Sequence, residues 1–186
     1  YPFLWPSAAR RLKRESAQCA GLDEIIDLAL CFQHGWGRLS VHIRPSQIHS
    51  EIKALLEVLA ENKPRRILEI GTNHGGTLFL FSKVVTDDAL LISLDLPEGA
   101  FGGGYPKWKI PLFQTFSTAR QRIITLRGDS HSPSSLEEVR KILEGEPLDF
   151  LFIDGDHSYE GVKSDWDSYE TSWDFKVNAL VSNENL

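Results

Sequence analysis

A chain of 186 residues is long enough for one domain with a substantial core and gives no reason to expect an obligatory second one. Hydrophobic residues make up 41% and aromatics 10%, ordinary values for a globular protein, and no apolar run approaches the roughly 18 to 20 residues of a membrane helix, so a soluble protein is expected. Acidic residues outnumber basic ones by 26 to 20, for a net charge of −6, and without a long basic stripe nucleic acid is not an expected partner.

Residues 1 to about 44 read as an aromatic-rich irregular lead followed by helical material, "GLDEIIDLALCFQH", ended by Gly35 and Gly37. Together they predict an N-terminal helical cap. Cys19 and Cys31 both fall there, too few for a disulfide framework, and are expected as buried thiols in a reducing compartment. The opening residues lack the pattern of a secretory signal, which makes the cytoplasm the default expectation. The absence of Met, even at the start, suggests a piece of something longer. After "RPS", Ile48, Ile52, Leu55, Leu56 and Leu59 form one apolar stripe, predicting a helix that stops before Pro64.

The pattern then changes to short aliphatic runs separated by helix-length segments. The runs are "RILEI" (66–70), "LLISL" (90–94), "IITLR" (123–127), "DFLFI" (149–153) and "NALVS" (178–182), each resembling a strand buried on both faces. Helices are expected at 75–85, near 112–121, at 135–144 with a capping box from Ser135 to Glu138, and at 158–170 with Tyr159, Val162, Trp166 and Tyr169 on one stripe. Strands alternating with helices predict a parallel sheet wound on both sides, an α/β fold, in a domain spanning 45–186. The Gly-, Pro- and aromatic-rich segment 97–111 interrupts the alternation as a loop, and Phe101, Tyr105 and Trp108 either wall a substrate pocket or pack the loop on itself.

In open α/β sheets ligands sit beyond the carboxyl ends of the strands, with the loop after the first core strand as floor. Gly71, Gly75 and Gly76 occupy that loop, where glycine lets backbone and ligand approach closely. A dinucleotide fingerprint would read GxGxxG, whereas this chain reads G-T-N-H-G-G with Asn73 in place of the second glycine. That suits a pyrophosphate poorly, and disfavours a nicotinamide cofactor. Asp95 ends the next strand at a spacing where a carboxylate meets ribose hydroxyls, and Asp129 with Ser130 follows the third strand where an adenine amino group would lie. The competing explanation is that the glycines close turns and the acids cap helices.

The stretches "ILEIGTNHGGT", "LLISLDLP", "ITLRGDSHSP" and especially "LDFLFIDGDHSYEGVKSDWDSY" resemble the successive motifs of class I S-adenosylmethionine-dependent methyltransferases. The last is most similar to the subgroup of small-molecule O-methyltransferases of the macrocin and rhamnosyl type and cephalosporin hydroxylase-like proteins. The resemblance covers roughly residues 45 to 170. It implies a Rossmann-like doubly wound sheet of core-strand order 3-2-1-4-5 and S-adenosylmethionine as cofactor. It places Glu69, Gly71, Asn73, Gly75 and Thr77 around the methionine end, Asp95 at the ribose, and Asp129 with Ser130 at the adenine.

"FIDGDHSYEG" ends a buried strand with Asp154, Asp156 and His157 close together. Transfer of a methyl group to a hydroxyl needs alignment and gains from a base or metal, so Asp154 and His157 are the candidate catalytic residues. By resemblance to the catechol and macrocin types, Asp154 with Glu184 and Asn185 would hold Mg²⁺, although the Pro-Gly-Gly turn usual before the fifth strand is missing here. The bland alternative has Asp156 capping the next helix and His157 facing solvent.

A full sheet of the class has seven strands, and strands six and seven have no counterpart before Leu186. A homo-oligomer covering the fifth-strand edge is one expected remedy. The function expected is methylation of a small-molecule acceptor, a sugar or secondary metabolite; the alternative is a catalytically incomplete domain that binds the cofactor or acts through assembly.

Overall fold

The computed structural model describes residues 3–97, 104–118, 120–170 and 178–181, residue 170 and the last four as backbone only. Seven strands and seven helices are described, forming one small and one large sheet. Helices α1 (Trp5–Ser16) and α2 (Leu22–Cys31) lead into an antiparallel hairpin of β1 (Gln33–Trp36) and β2 (Leu39–His42). Then follow α3 (His49–Asn62), β3 (Arg66–Ile70), α4 (Gly76–Val84), β4 (Leu90–Asp95), a 3₁₀ turn at Lys107–Lys109 and the short α5 (Ile110–Gln114). The chain continues through β5 (Arg122–Arg127), α6 (Pro133–Leu143), β6 (Phe150–Ile153), α7 (Tyr159–Glu170) and β7 (Asn178–Val181).

The five predicted runs all become strands of one parallel sheet in the order β5-β4-β3-β6-β7. Counting core strands from β3, this is the expected 3-2-1-4-5, with a doubly wound α/β architecture. Alternate residues of each strand face opposite layers. Ile67, Leu91, Ile123, Phe150 and Phe152 point into an aromatic-rich core shared with α1 to α5. Leu68, Ile70, Ile92, Leu94, Leu126, Leu151 and Ile153 point into a smaller, largely aliphatic one under α6 and α7.

Several local expectations are corrected. The lead is a helix: Pro6 sits in its first turn, and Ala8, Ala9 and Leu12 are buried against the core while its basic residues face out. Helix α2 stops at Cys31, because the next residues pair in the hairpin, with Gln33 opposite His42 and Trp36 opposite Leu39. Cys19 is half-buried and Cys31 exposed, so neither is the enclosed thiol expected. Ile48 precedes α3 and is exposed, leaving Ile52, Leu55, Leu56 and Leu59 as the buried stripe. The helix expected near 112–121 is only Ile110–Gln114. The cap of α6 is Ser132, whose hydroxyl accepts the Ser135 amide, one turn before the capping box read from the sequence. Tyr159 is exposed rather than on the buried stripe of α7, where Tyr169 is fully enclosed.

Candidate functional site

The carboxyl ends of β3, β4 and β6 converge on the loop Gly71–Gly75. Gly71 has φ +89°, and a Cβ there would run into the carbonyl of Asp154. Its amide donates to Leu94 O at 2.9 Å, so the loop is wedged between both neighbouring strands. A side chain would have to push β3 and β6 apart, which is why glycine stands there. Asn73 tolerates the left-handed conformation (φ 47°), and its amide donates to Asp95 Oδ2 at 2.6 Å. Asp95 thus fastens the loop from the end of β4.

Glu69 points into the sheet layer and is completely enclosed. Its Oε2 accepts the Thr72 hydroxyl at 2.7 Å, and Thr72 lies 2.7 Å from the Ser93 hydroxyl, while Glu69 Oε1 has no hydrogen-bond partner among the described residues. Burial pushes the Glu69 carboxyl up to about 8, the Thr72 bond opposing it and the nearby Asp154 and Asp95 adding to it. The Asp95 carboxyl is raised by burial, against the pull of the loop amides and Arg127. Among the described residues neither Glu69 nor Asp95 forms an ion pair.

Sequence reasoning missed Gln47. This buried side chain donates from Nε2 to Asp154 Oδ2 at 2.7 Å and accepts the Thr77 hydroxyl on its amide oxygen at 3.0 Å. It ties the segment before α3 to the first turn of α4 and the end of β6. The one available signal was a polar residue just ahead of an amphipathic helix, which is also how a surface loop reads. Asp154 itself is half-buried at the rim, and His157 is exposed.

Beyond β5, the exposed Asp129 accepts the His131 amide on Oδ1 at 2.9 Å, and the Ser130 carbonyl accepts the Tyr169 hydroxyl at 3.0 Å. His131 Nε2 stands 3.2 Å from the enclosed Asp165 carboxylate, in ion-pair range without an aligned hydrogen bond. Asp156 accepts the Ser158 amide, and the Ser158 hydroxyl accepts that of Gly161, so both residues organise the start of α7. The Ser158 amide, chiefly, holds the Asp156 carboxyl below its ordinary value.

Tyr105 is not a pocket wall. It is buried, its hydroxyl donating to Leu126 O at 2.9 Å and its ring lying edge-on to Phe113 at 5.0 Å. Trp108 packs against the core, and Phe101 lies outside the described residues. Behind Tyr105 the buried Lys109 reaches back to the glycine loop, with Nζ 3.2 Å from both His42 O and His74 Nδ1. The His42 and His74 rings meet edge to face at 4.0 Å.

The geometry fits a ligand lying along the ends of β3 and β4. Glu69 Oε1 is a buried oxygen with no partner among the described residues, Gly71 leaves no bulk in the loop, and acids without ion partners among those residues suit a cationic ligand rather than a pyrophosphate. A family described as "Methyltransferase domain" matches residues 68–175, more than half of the chain. The chain belongs to this family. Among curated proteins none matches its sequence. Of solved structures, the MycE methyltransferase from the mycinamycin biosynthetic pathway, in complex with Mg and SAH, is similar at 17% identity and a TM-score of 0.46, covering 80% of this chain and 32% of its own. An O-methyltransferase from Bacillus cereus in complex with SAH is similar at 17% identity and a TM-score of 0.47, covering 88% and 69%. The chain thus spans only about a third of the MycE chain, 32%. At this identity neither likeness bears on substrate.

For a metal, the described part of the domain contains no group of three acidic, histidine or cysteine side chains able to hold one. Glu184 and Asn185, the expected companions of Asp154, lie outside the described residues. Among the described residues no helix is long and apolar enough to cross a membrane.

Proposed function

We propose that the domain binds S-adenosylmethionine along the carboxyl ends of β3 and β4 and transfers its methyl group to a hydroxyl oxygen of a small molecule, a sugar or secondary metabolite. The observation that carries this reading is the gathering of Glu69, Asp95 and Asp154 around one glycine loop from three adjacent strand ends. The bound cofactor supplies a methyl group on a positively charged sulfur. Asp95 and Asp154 offset its sulfonium and ammonium charges, and Glu69 joins them once the cation draws off the proton that burial holds on it up to about 8; a phosphate-binding loop would not do this. Glu69, Gly71, Asn73, Gly75 and Thr77 surround its methionine end, Asp95 receives the ribose hydroxyls, and Asp129 with Ser130 flanks the adenine.

In the transfer an oxygen–carbon bond forms as the sulfur–carbon bond breaks, and the electron pair stays on sulfur. The acceptor's proton leaves to a base at the site's rim. Asp154, steadied by Gln47, stands there, and His157 stands three residues further on. The chain's contribution is chiefly alignment, which excludes water and holds the attacking oxygen in line.

Isothermal titration with S-adenosylmethionine and S-adenosylhomocysteine tests the reading. Saturable heat is expected from both, with a melting temperature that climbs with the logarithm of ligand concentration. Absence of heat at millimolar ligand, with folding confirmed by circular dichroism, would sink it.

A further inference from the structure

Between the β2–α3 connector and the tip of the glycine loop lies an open cleft of about 380 Å³ lined by His42, Arg44, Pro45, Ser46, Asn73 and His74. Its chemistry is opposite to that of the acidic loop interior a few residues away. We propose that this cleft is a carboxylate receptor, in which His74 donates from Nε2 and Arg44 supplies charge, with Lys109 acting as the positioning residue behind the imidazole. The proposal deepens the function above and rests on it for one of the two carboxylates the cleft would take, that of the cofactor's methionine end; the other is a carboxylate on the methyl acceptor.

The argument starts at Lys109, which is 4% exposed. Its ammonium has three protons and three neighbours at hand: His42 O and His74 Nδ1, both at 3.2 Å, and His74 O at 3.4 Å. A lysine has no acceptor, so the contact with Nδ1 is a donation, and the neutral His74 ring then carries its own proton on Nε2. Burial and the adjacent ammonium push His74 down to about 4 and His42 also down, so both rings are neutral at ordinary pH. An imidazole in that state, its tautomer fixed, is a hydrogen-bond donor and not a base. Among the described residues neither Lys109 nor Arg44 has a carboxylate within ion-pair distance. A buried cation without a counterion is costly, and an incoming carboxylate relieves that cost. Hydrophobic packing does not explain the arrangement, since a leucine at 109 would fill the same space beside Trp108 and Phe113.

The test follows the His74 ring by ¹⁵N–¹H NMR in the full chain and in Lys109→Met, whose melting curve is checked first. Removing an unpaired buried charge is expected to leave the fold intact. Three probes are used: S-adenosylhomocysteine, 5′-methylthioadenosine, which lacks the amino-acid end, and benzoate added to protein saturated with S-adenosylhomocysteine. A His74 shift with S-adenosylhomocysteine and none with methylthioadenosine assigns the cleft to the cofactor's carboxylate. A shift only with benzoate assigns it to the acceptor's. In either case K109M should weaken that carboxylate probe about tenfold, the scale of one charge-assisted hydrogen bond, and leave methylthioadenosine binding unchanged. If neither carboxylate moves His74, if the free ring is found protonated on Nδ1, or if K109M binds both carboxylates as tightly as the parent, the receptor is overturned. If neither adenosine compound binds while benzoate alone still moves His74, the cofactor reading fails and the receptor stands.

Discussion

The two ends of the central sheet treat charge in opposite ways. At the amino ends of the strands, Arg65 meets Asp88 and Arg66 meets Glu146, both at 2.7 Å and both at the surface, while Asp149 accepts the backbone amides of Arg65 and Arg66 at 2.9 Å. Each of these three acids has a cation or a backbone amide as partner. At the carboxyl ends, Glu69 is fully enclosed and Asp95 nearly so, and neither has an ion-pair partner among the described residues. Pairing at the solvent-facing end costs the fold little. Enclosing carboxylates at the other end costs stability, and folds tolerate that where a ligand later uses the charge. The same sheet therefore separates a structural rim from a binding rim, and substitutions at the two should behave differently.

The largest effect is expected from Gly71→Ala. The added Cβ meets the Asp154 carbonyl in a left-handed conformation, so the strand ends must separate or the loop must refold. A loss of at least about 2 kcal/mol is expected in denaturant melts, with cofactor binding abolished in titrations. Next comes Gln47→Leu, which keeps the volume but leaves the Thr77 hydroxyl and Asp154 Oδ2 without their amide partner. About 1–3 kcal/mol should be lost, together with a weaker cofactor, because the connector is freed from the loop. If Gln47→Leu were neutral in both measurements, the binding rim would not depend on the connector, and the contrast between the ends would reduce to the loop alone.

Where the two rims lie was legible in the sequence, because strands buried on both faces must read as apolar runs, and the polar residues that end those runs then stand out. "RILEI", "LLISLD" and "FLFID" each announce both a strand and its acid. What was not legible depends on contacts distant in the chain. Glu69 looks like a site residue, yet its enclosure depends on Thr72 and on Ser93 of the neighbouring strand. Gln47 is 107 positions from Asp154, and nothing local marks it. The hairpin β1–β2 was hidden because Gly35 and Gly37 serve equally as helix stops and as turn residues, and β1 is too exposed to show a strand's alternation. Lys109 read as loop because its burial is created by His42 and His74 arriving from elsewhere.

Glu69 gives the contrast a pH signature. Its carboxyl is raised in the folded protein from an ordinary value of 4.5 to about 8, so between those values the folded state holds a proton that the unfolded state has released. The sign follows directly: its contribution is fully present below about 4.5, and stability falls as pH rises towards 8. Glu69→Gln cannot titrate, so its unfolding free energy should change less steeply with pH across this window, by up to about 1.4 kcal/mol per pH unit at steepest. Urea melts at pH 5, 6, 7 and 8 on both proteins check this. Parallel curves would mean that Glu69 is ionised in the fold, its charge offset by something other than Thr72.

The smallest effect is expected at the other rim. Glu146 is 61% exposed on its side chain and pairs with Arg66 at 25%, so water screens the attraction and both side chains lose rotamer freedom to make it. Glu146→Ala should change stability by less than about 1 kcal/mol, and less still in molar salt, where the Debye length shrinks to about 3 Å and the pair's attraction is screened further. Cofactor affinity should be unaltered within error, because the pair lies at the far end of β3 from Gly71. A loss of affinity comparable with that of Gln47→Leu would show the two ends of the strand to be energetically coupled, and the acids at the carboxyl rim could then no longer be read as set apart for a ligand.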